Sequence, residues 1–266
     1  MKILAHVIIV SILTIITQIG GIVWIMNFAF FRWVKKGNSK WTKLSSFLVI
    51  YLLLTFLIIP IFAKITGRVP LPITKSDNLI PHNYITPLLN RHYVKPRLKT
   101  QLLELADKTN SENKLLKVSY LDANFPFIDG FPLLPHLSHN DGRKVDLSFY
   151  YTKNDEEGNL KPSNTGYGAF VEPSDTEYNQ TKECKSAGYW HYDYTKFLKL
   201  GSRNDLVFDL ENTRNLVIKL VQSPLTQKIL IEPHINKRMN LTNNKIRFQG
   251  CRAVRHDDHI HHQINN

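Results

Sequence analysis

The chain has 266 residues, 43% of them hydrophobic, and 34 Lys+Arg against 22 Asp+Glu give a formal charge of +12. That excess does not mark a nucleic-acid binder: there is no basic helix and no repeat interleaving aromatic with basic residues. There is also no internal repeat and no low-complexity tract.

The charge is unevenly spread. The first 66 residues contain no acid and seven of the basic residues, so 27 Lys+Arg and all 22 acids lie beyond, a net of +5. Two apolar runs fill the N-terminal part, roughly 4–31 and 44–63. Each is long enough to cross a bilayer, which takes about 20 helical residues. Lys2 begins the first run as it would a signal peptide, but the run is too long for one and no small-x-small cleavage site follows. The spacing of the runs predicts a transmembrane hairpin over residues 1–66. Between them, residues 32–43 carry Arg32, Lys35, Lys36, Lys40 and Lys43 and no acid. The positive-inside rule puts this loop in the cytoplasm and the following ~200 residues on the periplasmic or extracellular side. Trp33 and Trp41 fall where interfacial aromatics sit.

Residues 67–90, with Pro70, Pro72, Pro81 and Pro87, read as an extended connector to a single domain at 91–266. Leu98, Leu102, Leu103, Leu105 and Ala106 form a helical stripe from Pro96 to about Lys108. Leu115–Leu121 reads as a strand. The Pro-rich, apolar stretch 125–135 reads as a packed loop. Val145–Tyr151 alternates and predicts a strand carrying Asp146. Residues 153–181 read as a long irregular insertion, and Trp190–Leu200 as a helix. Short apolar runs at Leu216–Val221 and Lys228–Ile231 follow. Helices interspersed with short strands give an α+β class. The only cysteines, Cys184 and Cys251, are a disulfide candidate, since an oxidising compartment permits pairing.

Two patterns carry chemistry. Ser138-His139-Asn140-Asp141-Gly142-Arg143-Lys144-Val145-Asp146 puts a His in a turn just before a strand that holds an Asp. His256-Asp257-Asp258-His259-Ile260-His261 lies near the C-terminus. On a strand, residues i and i+2 share a face, so His259 and His261 point together and His262 points away. On a helix His256 and His259 would pair instead; the alternation favours the strand. Three ligands drawn from His and Asp/Glu with one open position are what a catalytic zinc ion takes.

The ordered pair of motifs, about 20 residues in all, resembles the zinc peptidases of peptidoglycan: the D-Ala-D-Ala metallopeptidases and, most closely, the penicillin-insensitive murein endopeptidases. Lysostaphin-type endopeptidases and the hedgehog signalling domain share that metal-site plan. The resemblance implies an α+β zinc-peptidase domain with a central antiparallel sheet, and Zn2+ held by His139, Asp146 and His261. It implies that His259 activates water or stabilises the oxyanion of the tetrahedral intermediate, and that His256 is a further active-site residue. Where the dipeptidases have a Glu base this chain has Asp258, so the base is Asp258 or His259. Arg143-Lys144 departs from the less basic residues expected there. Arg91 and Arg97 are candidates for the dipeptidases' substrate Arg, and Trp190 for a substrate wall. The expected activity is hydrolysis of D-amino-acid-containing peptide bonds of peptidoglycan by a membrane-anchored enzyme. The alternatives are D,D-carboxypeptidase or dipeptidase activity, or a non-catalytic zinc module that binds cell-wall peptide or a protein. Peptidoglycan peptide and the membrane are the expected partners; nucleic acid is not.

Overall fold

The computed structural model describes residues 2–34, 39–154, 158–201, 203 and 205–266. In chain order the elements are α1 (Lys2–Thr17), α2 (Gly20–Trp33), α3 (Lys40–Leu53) running through a π-helical turn (Leu54–Ile58) into α4 (Ile59–Ala63), β1 (Val69–Pro70), β2 (Leu79–Pro81), α5 (Ile85–Leu88), β3 (Tyr93–Val94) and α6 (Pro96–Glu112). There follow β4 (Val118–Tyr120), β5 (Lys144–Ser148), β6 (Tyr151–Thr152), α7 (Gln180–Ser186), a 3-10 helix (Trp190–Leu198), β7 (Val207–Phe208), α8 (Leu210–Gln222), β8 (Thr226–Leu230), α9 (Pro233–Arg238), β9 (Ile246–Arg247) and β10 (His259–Ile264). The chain forms two compact units.

The first unit comprises Met1–Leu71, Ile85–Pro96 and Asp122–Gly142. Its Lys40–Ala63 helix, α3 continued into α4, is long and apolar enough to cross a membrane. The first apolar run is not one helix. The chain breaks at Gln18, whose φ is +66°, and α1 and α2 pack side by side: the Trp24 indole donates to His6 Nδ1 at 3.1 Å, and His6 lies 4.5 Å from Phe28 between ring centroids. Gly20 and Gly21 permit the close approach. A Cβ on Gly21 would sit 2.0 Å from Thr14 Oγ1 and 2.8 Å from the Val10 carbonyl. A single helix over 4–31 is therefore replaced by two of 16 and 14 residues, about 24 and 21 Å long. Of the basic loop at 32–43, residues 35–38 lie outside the described residues. Ile19, Val23, Phe47, Tyr51, Ile59, Ala63 and Tyr93 make the core of this unit. The stretch 67–90, expected as a bare connector, carries β1, β2 and α5.

The second unit comprises Pro72–Tyr84, Arg97–Leu121 and Arg143–Asn266. It is α+β, built on a six-stranded sheet ordered β2-β4-β5-β10-β8-β9. The sheet is mixed, not antiparallel as expected: β2–β4 and β8–β9 are parallel. The connections explain why. Helices lie between the strands of each pair, α5 and α6 in one and α9 in the other, and a crossover that returns the chain to the same end makes a parallel pair. Leu98, Leu102, Leu105 and Ala106 are the buried stripe of α6, which reaches Glu112, four residues past the predicted end.

Helix α8 was visible only as the apolar run Leu216–Val221; its start is set by Asp209, whose carboxylate accepts from Asn212 N at 3.0 Å. That bond satisfies one of the N–H groups a helix start leaves orphaned. The central strands are covered on both faces: every residue of β5 is buried, and in β10 only Gln263 is half-exposed. Residues 159–179 are largely irregular, as expected, and Cys184 and Cys251 are joined in a disulfide.

Candidate metal centre

The register of β5 and β10 is the basis of the site. His261 stands directly opposite Asp146, and His259 opposite Ser148. Directly paired residues share a sheet face, with side chains about 5 Å apart. The observed strand begins at His259, and His259 and His261 project on the Asp146 face. Ile260 and His262 go to the other face. Ile260 is fully buried there, and His262 Nε2 lies 3.2 Å from Gln101 Oε1 of α6. Burial pushes the His262 pKa down to about 3, so it stays neutral.

On the site face, His261 Nδ1 lies 2.9 Å from Asp146 Oδ1. At that distance the imidazole and the carboxylate are hydrogen-bonded to each other. The Tyr167 hydroxyl donates to Asp146 Oδ2 at 2.9 Å. His259 Nε2 lies 3.7 Å from that same oxygen. The other nitrogen of His259, Nδ1, is bonded to Asp258 Oδ1, and Asp258 Oδ2 accepts from Gly168 N at 2.6 Å. Burial pulls the His259 pKa down, but the Asp146 and Asp258 carboxylates outweigh it and hold it at about 9. The His256 ring sits 5.1 Å from that of His259 and 5.8 Å from that of His261. Its backbone N–H donates to the buried carboxylate of Glu232, which also accepts from the Tyr192 hydroxyl. All of these residues are buried.

His139 is buried in a turn, and its Nδ1 lies 2.8 Å from the Ala123 carbonyl. A backbone carbonyl on Nδ1 fixes the tautomer and makes Nε2 the ligating atom, a common arrangement around a metal. His136 lies beside it, ring centroids 5.5 Å apart. His136 and His139 of the first unit and Asp146 of the second are buried and together offer donor types that could hold a metal ion; the expected ligand His261 is not in that group. The identity of that ion is not fixed by the donors alone; His with carboxylate suits several divalent metals.

His136, Tyr167, Gly168 and Glu232 were missed from the sequence. The His-x-x-His spacing of His136 and His139 was the one signal available for the first. Tyr167 and Gly168 come from the irregular insertion, where no periodicity points anywhere.

The candidate substrate residues are engaged otherwise or exposed. Arg91 is bound to Asp122 Oδ2 at 2.9 Å and donates to the Leu134 carbonyl at 2.5 Å, holding the chain that leads to His136. Arg97 is on the exposed first turn of α6 and reaches the Asn266 carbonyl at 3.4 Å. Trp190 is 77% exposed at the start of the 3-10 helix. No protein-family model matches the chain, and no curated protein matches its sequence. The motif resemblance therefore rests on the residues themselves.

Proposed function

We propose that the chain is a membrane-anchored, zinc-dependent peptidase acting on peptidoglycan, most like a murein endopeptidase, with His139, Asp146 and His261 as ligands. The observation that carries this reading is the register pairing of Asp146 with His261, which brings together motifs 115 residues apart on adjacent strands. The donors fit the ion: two His and a carboxylate, buried, with Tyr167 and the Ala123 carbonyl bonded to the ligand side chains. Outer partners of this kind set ligand orientation and basicity. When bound, zinc would polarise the scissile carbonyl and activate the attacking water.

The protein's own part follows from the second motif. Asp258 is committed to His259 Nδ1 and Gly168 N, so it orients rather than reacts. His259 Nε2, turned toward Asp146, is the atom placed to hold or hand on a proton at the reacting centre. Held at a pKa of about 9, His259 is charged at neutral pH, which suits it to donate a proton or to stabilise the oxyanion. His256 shapes the same face, its backbone held by Glu232.

The test is zinc analysis and digestion of purified muropeptides with the full-length protein and its Asp146→Ala variant. One zinc per chain and conversion of cross-linked dimers to monomers, both lost in the variant, support the endopeptidase. Trimming of monomers instead moves the assignment to carboxypeptidase or dipeptidase. Zinc without any turnover leaves a binding module, and a zinc content unchanged by the substitution overturns the site.

A further inference from the structure

We infer that the segments 85–91 and 126–137 of the first unit are immersed in the outer leaflet of the bilayer, so that the chain carrying His136 and His139 works at lipid headgroup level. This rests on the reading of Lys40–Ala63 as a membrane span. Three observations carry it.

The first is length. The α1–α2 hairpin is built from helices of about 24 and 21 Å, whereas a hydrocarbon core is ~30 Å thick. The hairpin therefore ends short, at Gln18. The apolar loop stands at its turn: Phe127 N–H donates to Gln18 Oε1 at 2.9 Å, and Phe127 packs against the core of this unit.

The second is level. Tyr51 lies in the middle of the Lys40–Ala63 helix, 12 residues or about 18 Å before Ala63. The Tyr51 hydroxyl donates to the Leu88 carbonyl at 2.8 Å, and Asn90 Nδ2 donates to Tyr51 Oη at 3.2 Å. Segment 85–91 is thus seated beside the middle of a helix whose other faces, at Leu57, Ile61 and Phe62, are apolar and exposed. Irregular backbone at membrane depth is tolerated only where protein satisfies its polar groups. Asn90, Thr86 and Thr55 are all buried in this unit. Below the second segment, Arg68 is fully buried and bonded to the Phe125 carbonyl, Asp129 and the Asn140 carbonyl, tying the loop to the chain just past the helix end.

The third is surface. Both segments turn aliphatic side chains outward: Ile85 is 57% exposed, Ile128 55%, Leu134 53% and Leu137 57%. These side chains belong to the same unit as the exposed apolar faces of the Lys40–Ala63 helix, and a bilayer is the one occupant that would cover both. The loop that carries His136 and His139 then lies close to the bilayer surface and not far out in the cell wall.

The experiment uses the full chain in phosphatidylcholine–phosphatidylglycerol vesicles, with a nitroxide on single cysteines replacing Leu57, Ile128, Leu137 or Asn244. All four positions are exposed, so the changes spare the fold, and Cys184 and Cys251 are paired. Accessibility to oxygen, which concentrates in lipid, is compared with accessibility to a water-soluble nickel chelate. The inference expects Leu57, Ile128 and Leu137 to favour oxygen and Asn244 to favour nickel. Ile128 and Leu137 behaving like Asn244, while Leu57 favours oxygen, overturns the inference and leaves the membrane span intact. Leu57 favouring nickel overturns the span, and the inference with it.

Discussion

Two regions of the second unit feed the candidate site, and they are held by different physics. The β5–β10 pair places Asp146, His259 and His261 by strand register: once Ile260 is in the core, the period of two leaves the histidines no other face. The irregular stretch between β6 and the 3-10 helix supplies Tyr167 and Gly168, and no periodicity fixes it. It is fastened at points instead. Cys184 is bridged to Cys251. Arg255 stacks on Phe170, 3.9 Å from the ring centroid, and binds both Glu172 and Asp257. Val171 N–H donates to the Asp257 carbonyl at 2.8 Å, and Arg238 binds Glu177. Most of these fasteners end on residues 251–257, the approach to His259. Register sets Asp146 and His261; cross-links set what surrounds them.

The sharpest way to break this division is to remove residues of each kind. His259→Ala should keep the zinc, since His259 is not among the proposed ligands, yet lower turnover on the order of 10²–10⁴-fold, the usual contribution of a positioned proton-transfer group. Asp258→Ala should also keep the zinc and lower turnover less, because His259 remains but loses the partner on Nδ1. Zinc content and muropeptide turnover, measured on both, decide it. An Asp258→Ala defect larger than that of His259→Ala would make Asp258 the base and reverse the roles assigned above.

The fasteners are expected to show in stability before they show in chemistry. Cys184→Ser with Cys251→Ser opens a loop with a sequence separation of 67. The chain-entropy account gives roughly 4 kcal/mol for such a loop, and measured bridges typically give about 2–4. The protein should unfold at markedly lower denaturant, with zinc still bound below the transition. Loss of zinc from the folded double variant would mean the bridge places Asp146 or His261, which register alone is argued to do.

Tyr167→Phe probes the same boundary more gently. It removes one hydroxyl from Asp146 Oδ2 and leaves the ring against His259, 5.1 Å between centroids. Outer-shell partners of metal ligands are worth about 10–100-fold in affinity, so a chelator competition should show a loss in that range with thermal stability little changed. No change in affinity would detach the irregular stretch from the metal site altogether.

What the sequence disclosed follows the same line. The faces of His259, His261 and His262, the strand under Asp146 and the stripe of α6 were legible because alternation and helical period report burial directly. The mixed sheet was not, since parallel pairing of β2–β4 and β8–β9 depends on where α6 and α9 return the chain. The break at Gln18 was hidden inside an unbroken apolar run; only Gly20 and Gly21 mark it, and a membrane helix tolerates both. Tyr167 and Glu232 reach the site through folding of distant segments, which no local pattern encodes. His136 was within reach, three residues before His139 in the same loop.

The smallest expected effect lies at the outermost fastener. Arg238 donates to Glu177 at 2.7 Å, and with the Ser174 N–H it holds the Glu177 carboxyl at a pKa of about 2, below the ordinary 4.5. A depressed folded-state pKa means the ionised form is favoured by folding. Its contribution is therefore complete above pH 4.5 and is lost as the pH falls toward 2. Glu177→Gln should accordingly be less stable than the parent at pH 6 by no more than ~1 kcal/mol, the range for an ion pair at a partly exposed position. The gap should narrow through that acid window while zinc binding at pH 6 stays unchanged. A gap that held constant down to pH 2 would show that the pair contributes by packing and not by charge. The irregular stretch would then be held at this point as the strands are, by what it buries.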